Sequence, residues 1–253
     1  MNRIQQKFFE NKKLLSIYFS AGFPTLNDTK SLIKNLAENK VDMIEIGLPF
    51  SDPLADGPII QASSNQALKN GMTTSLLFEQ LKDVRQTVTI PLIIMGYFNP
   101  MLQYGMNNFL NKCKETGIDG LIIPDLPLEI YLTEYKELFE SYNIAMIFLI
   151  TPQTSEERIR LIDANSNAFI YLVSTSSVTG SRDNFDENQM NYFKRIADMN
   201  LRNPQIVGFG ISNKTTFQQA TKYQNGAIIG SSFIQFLSNN DIANIPDFIQ
   251  NIL

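Results

Sequence analysis

Short apolar runs alternate with longer stretches of helical period along the whole chain. The runs occupy residues 15–20, 43–47, 92–96, 120–124, 145–150, 169–174, 205–209 and 227–230. Several, such as Leu121-Ile122-Ile123, have no polar residue at every second position. A strand that shows one face to water alternates, whereas a parallel strand covered on both faces does not. Between the runs, Leu32, Ile33, Leu36 and Ala37 make one helical stripe, and Leu132, Tyr135, Leu138, Phe139 and Tyr142 make another. Thr154 with Glu157 has the spacing of a capping box after Pro152, and Gly117 stands where a helix should stop before the run at 120. Eight strand–helix units in 253 residues predict an α/β fold, a (β/α)8 TIM barrel, rather than an open doubly wound sheet. Residues 2–11 read as an extra N-terminal helix that plugs the barrel floor. No linker or change of composition divides the chain, so residues 1–253 are expected to form a single barrel domain.

Composition narrows the chemistry. Hydrophobic residues make up 43% and charged residues 18%, enough apolar mass for one large core. The net charge is −4 and the 21 basic residues are scattered, so no nucleic-acid footprint or membrane patch is expected. No apolar run nears the roughly 20 residues that span a bilayer, and the polar start lacks a signal-peptide centre. A cytoplasmic protein is expected. The single cysteine, Cys113, shares a helix face with Phe109 and Leu110 and reads as core. Histidine is absent, which removes the usual acid–base group and the commonest metal ligand. The aspartates are in no metal-ligand spacing, and no lysine falls at the carboxyl end of a strand. A Schiff-base aldolase therefore finds no nucleophile, and a metal aldolase would need an all-oxygen site.

Active groups of such a barrel belong at the carboxyl ends of strands and in the loops that follow. Glu45 lies inside the apolar run Met43-Ile44-Glu45-Ile46-Gly47, where a carboxylate is costly to bury without a purpose. The next loop, residues 48–58, is long and holds three prolines, with Asp52 and Asp56 as open alternatives for a functional acid or a turn cap. Gly208-Phe209-Gly210 closes the seventh run and Gly230-Ser231 the eighth, ahead of a short helix at 231–236. Bare backbone amides and a helix N-terminus there suit a phosphate. Gly180, after the sixth run, would complete the cradle. Phosphate, carboxylates and no covalent helper together fit carbon–carbon cleavage by proton transfer.

The run from Met43 to Pro58 closely resembles the signature of the tryptophan synthase alpha chain family. The likeness extends to Ser20-Ala21-Gly22-Phe23-Pro24, Tyr97-Phe98-Asn99-Pro100, Pro124-Asp125-Leu126-Pro127, Val178-Thr179-Gly180, Gly208-Phe209-Gly210-Ile211 and Gly230-Ser231. The resemblance implies a metal-free retro-aldol cleavage of indole-3-glycerol phosphate to indole and glyceraldehyde 3-phosphate. It implies Glu45 as the general acid–base and Asp56 as the anion facing the indole N–H. Gly180, Gly210, Gly230 and Ser231 match the phosphate cradle, while Tyr171 and Thr179 match the sixth strand and its loop. Tyr18 and Phe209 would line the indole pocket. No cofactor is implied for this chain; pyridoxal phosphate belongs to the partner, a tryptophan synthase beta chain in an α2β2 tetramer. Two positions depart from the pattern: Ser177 replaces a usual glycine, and Tyr18 stands where phenylalanine occurs in some members. A stand-alone lyase that releases free indole and a catalytically silent activating subunit are the rival readings. The presence of both carboxylates argues against the second.

Overall fold

In the computed structural model, residues 2–10, 12–174 and 184–253 are described. Eight strands close into an all-parallel barrel in chain order. They are β1 (Leu14–Ser20), β2 (Met43–Gly47), β3 (Leu92–Met95), β4 (Gly120–Ile122), β5 (Ala145–Ile150), β6 (Ile170–Val173), β7 (Gln205–Gly208) and β8 (Gly226–Ile229). Each falls on its expected run to within one or two residues at either end. β7 stops at Gly208 because Phe209 has a φ of +70°, which leaves the extended region. Ile17 and Phe19 face the surrounding helices, while Leu14, Met43, Ile93, Ile147, Tyr171 and Ile228 fill the barrel interior. Both faces are covered, which is why the runs do not alternate. Among the described residues no helix is long and apolar enough to cross a membrane.

The floor is closed by the N-terminal segment. Its helix is shorter than expected, only Arg3–Lys7, because a tighter 3-10 turn takes over at Phe8–Glu10. Ile4 joins the interior cluster and reaches so close to Gly120 that a β-carbon there would lie 3.0 Å from its Cδ1. Two acids just before their strands tie the floor together. Asp42 accepts from the amide of Leu15 at 2.9 Å, and Asp119 from the amide of Leu92 at 2.9 Å. Lys12 pairs with Asp42 at 2.7 Å, and Arg85 and Arg3 pair with Asp119 at 2.5 and 2.9 Å.

Two helix expectations need correction. The N-cap of the helix Glu156–Asn165 is Ser155, which accepts from the amide of Arg158, not Thr154. Thr154 instead accepts from the amide of Thr151, one turn earlier. The stripe through Leu132, Tyr135, Leu138, Phe139 and Tyr142 is interrupted by a π-turn at Tyr131–Tyr135. A wider turn rotates the buried face, so Tyr131 and Phe139 are buried while the other four are only partly covered. Gly117 ends the helix Met106–Thr116 with a left-handed φ of +74°, and Cys113 is buried, both as expected.

Candidate active site

Glu45 sits at the middle of β2, points into the barrel and has no exposed surface. Its Oε1 accepts from the Ser16 hydroxyl at 2.9 Å, and its Oε2 is buried without a partner among the described residues. In the β1–β2 register Tyr18 stands opposite Glu45 and Ser16 opposite Met43. The carboxylate therefore turns one layer toward the floor, and it does not line the cavity above. Burial, opposed only by the Ser16 hydroxyl, pushes its pKa up to about 8.

Asp56 arrives from the other direction, on the loop at the carboxyl end of β2. The loop is anchored at Phe50, whose amide and carbonyl both bond to the Ser64 hydroxyl at 3.0 and 3.1 Å. Gln61 holds the Asp56 carbonyl at 2.9 Å. The Asp56 carboxylate accepts from the Tyr97 hydroxyl at 3.2 Å. Desolvation raises its pKa to about 6, with the Tyr97 hydrogen bond acting in the opposite sense. Asp52 is exposed and bonds to neighbouring Ser51. The loop thus separates two acids that composition left equivalent: Asp56 faces the cavity and Asp52 faces solvent.

The cavity is lined by Tyr18, Asp56, Tyr171, Phe209, Gly210, Gly230 and Ser231, with Ile60, Met95 and Ile228 as apolar wall. Tyr18 and Tyr171 each lie over a bare strand glycine. A β-carbon on Gly47 would come within 2.2 Å of the Tyr18 hydroxyl, and one on Gly208 within 2.0 Å of the Tyr171 hydroxyl. Both phenols are held above their ordinary pKa range, first by burial. Asp56 is the next cause for Tyr18 and Glu45 for Tyr171, and each ring feels both carboxylates. Tyr171 and Phe209 meet edge to face at 6.3 Å.

Opposite the carboxylates, Phe209 and Gly210 are successive left-handed residues, with φ of +70° and +76°. A side chain at Gly210 would be strained by that φ and crowded by Phe185, 3.2 Å from its β-carbon. Gly230 has a negative φ and ordinary contacts, so its bareness only keeps the cavity open. It precedes the helix Ser231–Asn239, longer than the expected 231–236, whose first intrahelical bond runs from the Ile234 amide to the Gly230 carbonyl. The amides before Ile234 have no acceptor inside the helix, and no side chain caps it. Ser231 and Ser232 bring that end to the cavity wall.

Eight of the ten expected site residues thus converge: seven line the cavity, and Glu45 lies beneath it. Thr179 and Gly180, like Ser177, lie outside the described residues. Two contributors were not singled out from the sequence. Ser16 is one of three hydroxyl residues in β1, with Tyr18 and Ser20, and nothing local ties it to Glu45. Tyr97 is one member of a motif after β3, with nothing local to link it to Asp56.

A family model described as tryptophan synthase alpha chain matches residues 4–250. The tryptophan synthase alpha chain of Flavobacterium psychrophilum is 69% identical over 252 residues, 100% of either chain. The chain belongs to the tryptophan synthase alpha chain family. Among solved structures, the alpha chain from Legionella pneumophila is 29% identical with a TM-score of 0.89, over 100% of this chain and 96% of that one. Tryptophan synthase from Mycobacterium tuberculosis is 26% identical with a TM-score of 0.90, over 99% and 96%. As a member of the tryptophan synthase alpha chain family, the protein is a lyase of tryptophan biosynthesis that cleaves indole-3-glycerol phosphate. The stretch that first suggested the family, residues 43–58, is the segment that carries both carboxylates.

Proposed function

We propose that Glu45 and Asp56 divide the proton and charge work of this cleavage. The observation that carries the reading is their contrasting settings: Glu45 has no exposed surface and one oxygen unpartnered among the described residues, while Asp56 lines the cavity and accepts from Tyr97. Glu45, pushed up to about 8, keeps its proton, while Asp56, at about 6, is mostly an anion. Indole leaves as a neutral molecule only if its C3 is protonated first. Glu45, turning from Ser16 toward the cavity, gives its proton to C3, and positive charge develops at the indole nitrogen. The Asp56 anion accepts the N–H and stabilises that charge. Glu45 then takes the proton of the C3′ hydroxyl. The oxygen's electron pair forms the aldehyde carbonyl, the C3–C3′ bond breaks, and its pair returns to the ring. One proton is given and one is taken, so the account balances without metal or cofactor.

The phosphate is held, on this reading, by the turn at Gly210 and the uncapped end of the helix that starts at Ser231, together with Gly180. Tyr18, Tyr171 and Phe209 enclose the indole, and Thr179, which follows β6 in the chain, is assigned to substrate binding with them. The chain works as a single cytoplasmic barrel domain and as the alpha subunit of an α2β2 assembly. Pyridoxal phosphate is assigned to the partner beta chain, which consumes the indole.

The direct test is indole release from indole-3-glycerol phosphate by the purified chain, with and without an added beta chain. Gly210→Asp should weaken binding of glycerol phosphate strongly while the affinity for free indole changes much less. Equal loss for both ligands, with the fold intact by circular dichroism, would move the phosphate elsewhere. No release in either condition would sink the catalytic reading.

A further inference from the structure

Tyr97 lies two residues past β3 and begins the helix Phe98–Tyr104, yet its side chain leaves that helix for the loop of Asp56. The ring packs on Phe50 with centroids 5.1 Å apart and is 9% exposed. Its oxygen accepts from the Ala55 amide at 2.9 Å, and its hydroxyl donates to Asp56 Oδ2 at 3.2 Å. Ala55 precedes Asp56, so one phenol grips both the backbone and the carboxylate of the same turn. The two bonds also orient each other. With a lone pair taken by the Ala55 N–H, the phenol's own proton is directed at the carboxylate. Among the described residues it is the side chain hydrogen-bonded to that carboxylate. Phe50 and the Asp56 carbonyl are held by Ser64 and Gln61, which do not reach it.

We propose that Tyr97 is a positioning residue for the cleavage, aiming the Asp56 carboxylate at the indole nitrogen. The inference rests on the reading of Asp56 as the charge-stabilising anion. A carboxylate on a loop has free side-chain torsions, and electrostatic stabilisation needs its partner fixed before charge develops. The phenol supplies that fixing and favours the ionised form of Asp56 against burial. Tyr97 is itself held well above its ordinary range, first by burial and then by Asp56, so it stays a donor. The other titratable groups facing the pair are Tyr18 and Tyr171 across the cavity, Glu45 beneath them, and Asp125 beside Tyr97.

The experiment compares the parent, Tyr97→Phe, Asp56→Asn and the double variant, reading kcat and KM for indole release against pH, with melting temperatures. Phenylalanine keeps the ring on Phe50. A hydrogen bond to a charged group is worth roughly ten- to a hundredfold, so kcat of Tyr97→Phe should fall by about tenfold or more with KM nearly unchanged. Activity that needs ionised Asp56 is lost as pH falls through its pKa. Removing the phenol raises that pKa, so the acid limb should move to higher pH. Asp56→Asn should lose about 100-fold or more, and adding Tyr97→Phe should cost nothing further. An unshifted limb, whatever the melting temperature, or a full independent loss in the Asp56→Asn background, would make Tyr97 structural only and overturn the inference alone. Near-normal cleavage by Asp56→Asn would overturn the Asp56 reading and this inference with it.

Discussion

At the barrel floor, the Asp42 and Asp119 side chains are 7% and 4% exposed, and each has a backbone amide and at least one cation as partner. Toward the other end, Glu45 is fully buried and Asp56 half-buried, and among the described residues only the hydroxyls of Ser16 and Tyr97 bond to their carboxylates. Among the described residues no cation is a cause of either raised pKa. The physics of burial is the same at both ends, and the pairing is opposite. An acid that is paired holds strands together and is poorly placed to trade a proton. With a hydroxyl alone, Glu45 keeps its proton into the neutral range and Asp56 is raised less far; both settings cost stability, and on the proposed reading that cost serves the cleavage.

The largest effect that would sharpen this comparison is on the rate. Glu45→Gln, nearly isosteric, should slow cleavage by about 10²–10⁴-fold while glycerol phosphate still binds. The same variant tests the cost of burial. Because Glu45 titrates at about 8 when folded against an ordinary 4.5, the folded chain keeps a proton that the unfolded chain releases. That contribution to stability therefore declines as pH rises from about 4.5 through about 8 and is flat above. Glutamine removes the decline, so the variant should be the more stable protein at alkaline pH in urea titrations. Parallel pH curves for parent and variant would mean Glu45 is not buried as an acid.

A smaller, purely structural effect is expected at the floor. Asp119→Ala leaves the Leu92 amide without its acceptor and takes the carboxylate from Arg85, which keeps the carbonyls of Gly117, Val88 and Ile90. It should cost about 2–3 kcal/mol of unfolding free energy. Cleavage per folded molecule should be unchanged well below the melting temperature. Lost activity with stability intact would dissolve the division between the two ends.

The smallest effect concerns strain. Phe209 holds a left-handed φ of +70°, which costs a bulky residue roughly 1–2 kcal/mol. Phe209→Gly relieves that strain while losing ring contacts and chain stiffness, so its net change should stay within about 1 kcal/mol. Phe169→Ala, fully buried in the barrel interior, should lose about 3–5 kcal/mol. Comparable losses, measured by denaturant titration, would place Phe209 in the core rather than on the cavity.

The strands were readable in advance because burial on both faces writes itself into unbroken runs such as Leu121-Ile122-Ile123. Glu45 was readable for the converse reason, an acid where only apolar residues belong. Helix ends were less so: Ser155 and Thr154 are chemically almost equivalent caps, and the turn at Thr151 took one of them. The π-turn at Tyr131–Tyr135 leaves no mark in a 3.6-residue pattern and changes which ring is buried. Ser16 and Tyr97 were passed over because their partners are 29 and 41 residues away in the chain.

The order of apolar runs and helical stripes, by itself, determined an eight-stranded parallel barrel and put a lone acid in its second strand. Period and burial are local properties, and each residue carries its share of them. Only the closed barrel decided that Asp56 rather than Asp52 faces the cavity, and that Ser16 draws the Glu45 carboxylate toward the floor. It also decided that the bare backbone of Gly47 and Gly208 makes room for two phenols. Those outcomes depend on distances between strands and on which donors reach a carboxylate once water is gone. Neither quantity exists until the chain has closed on itself.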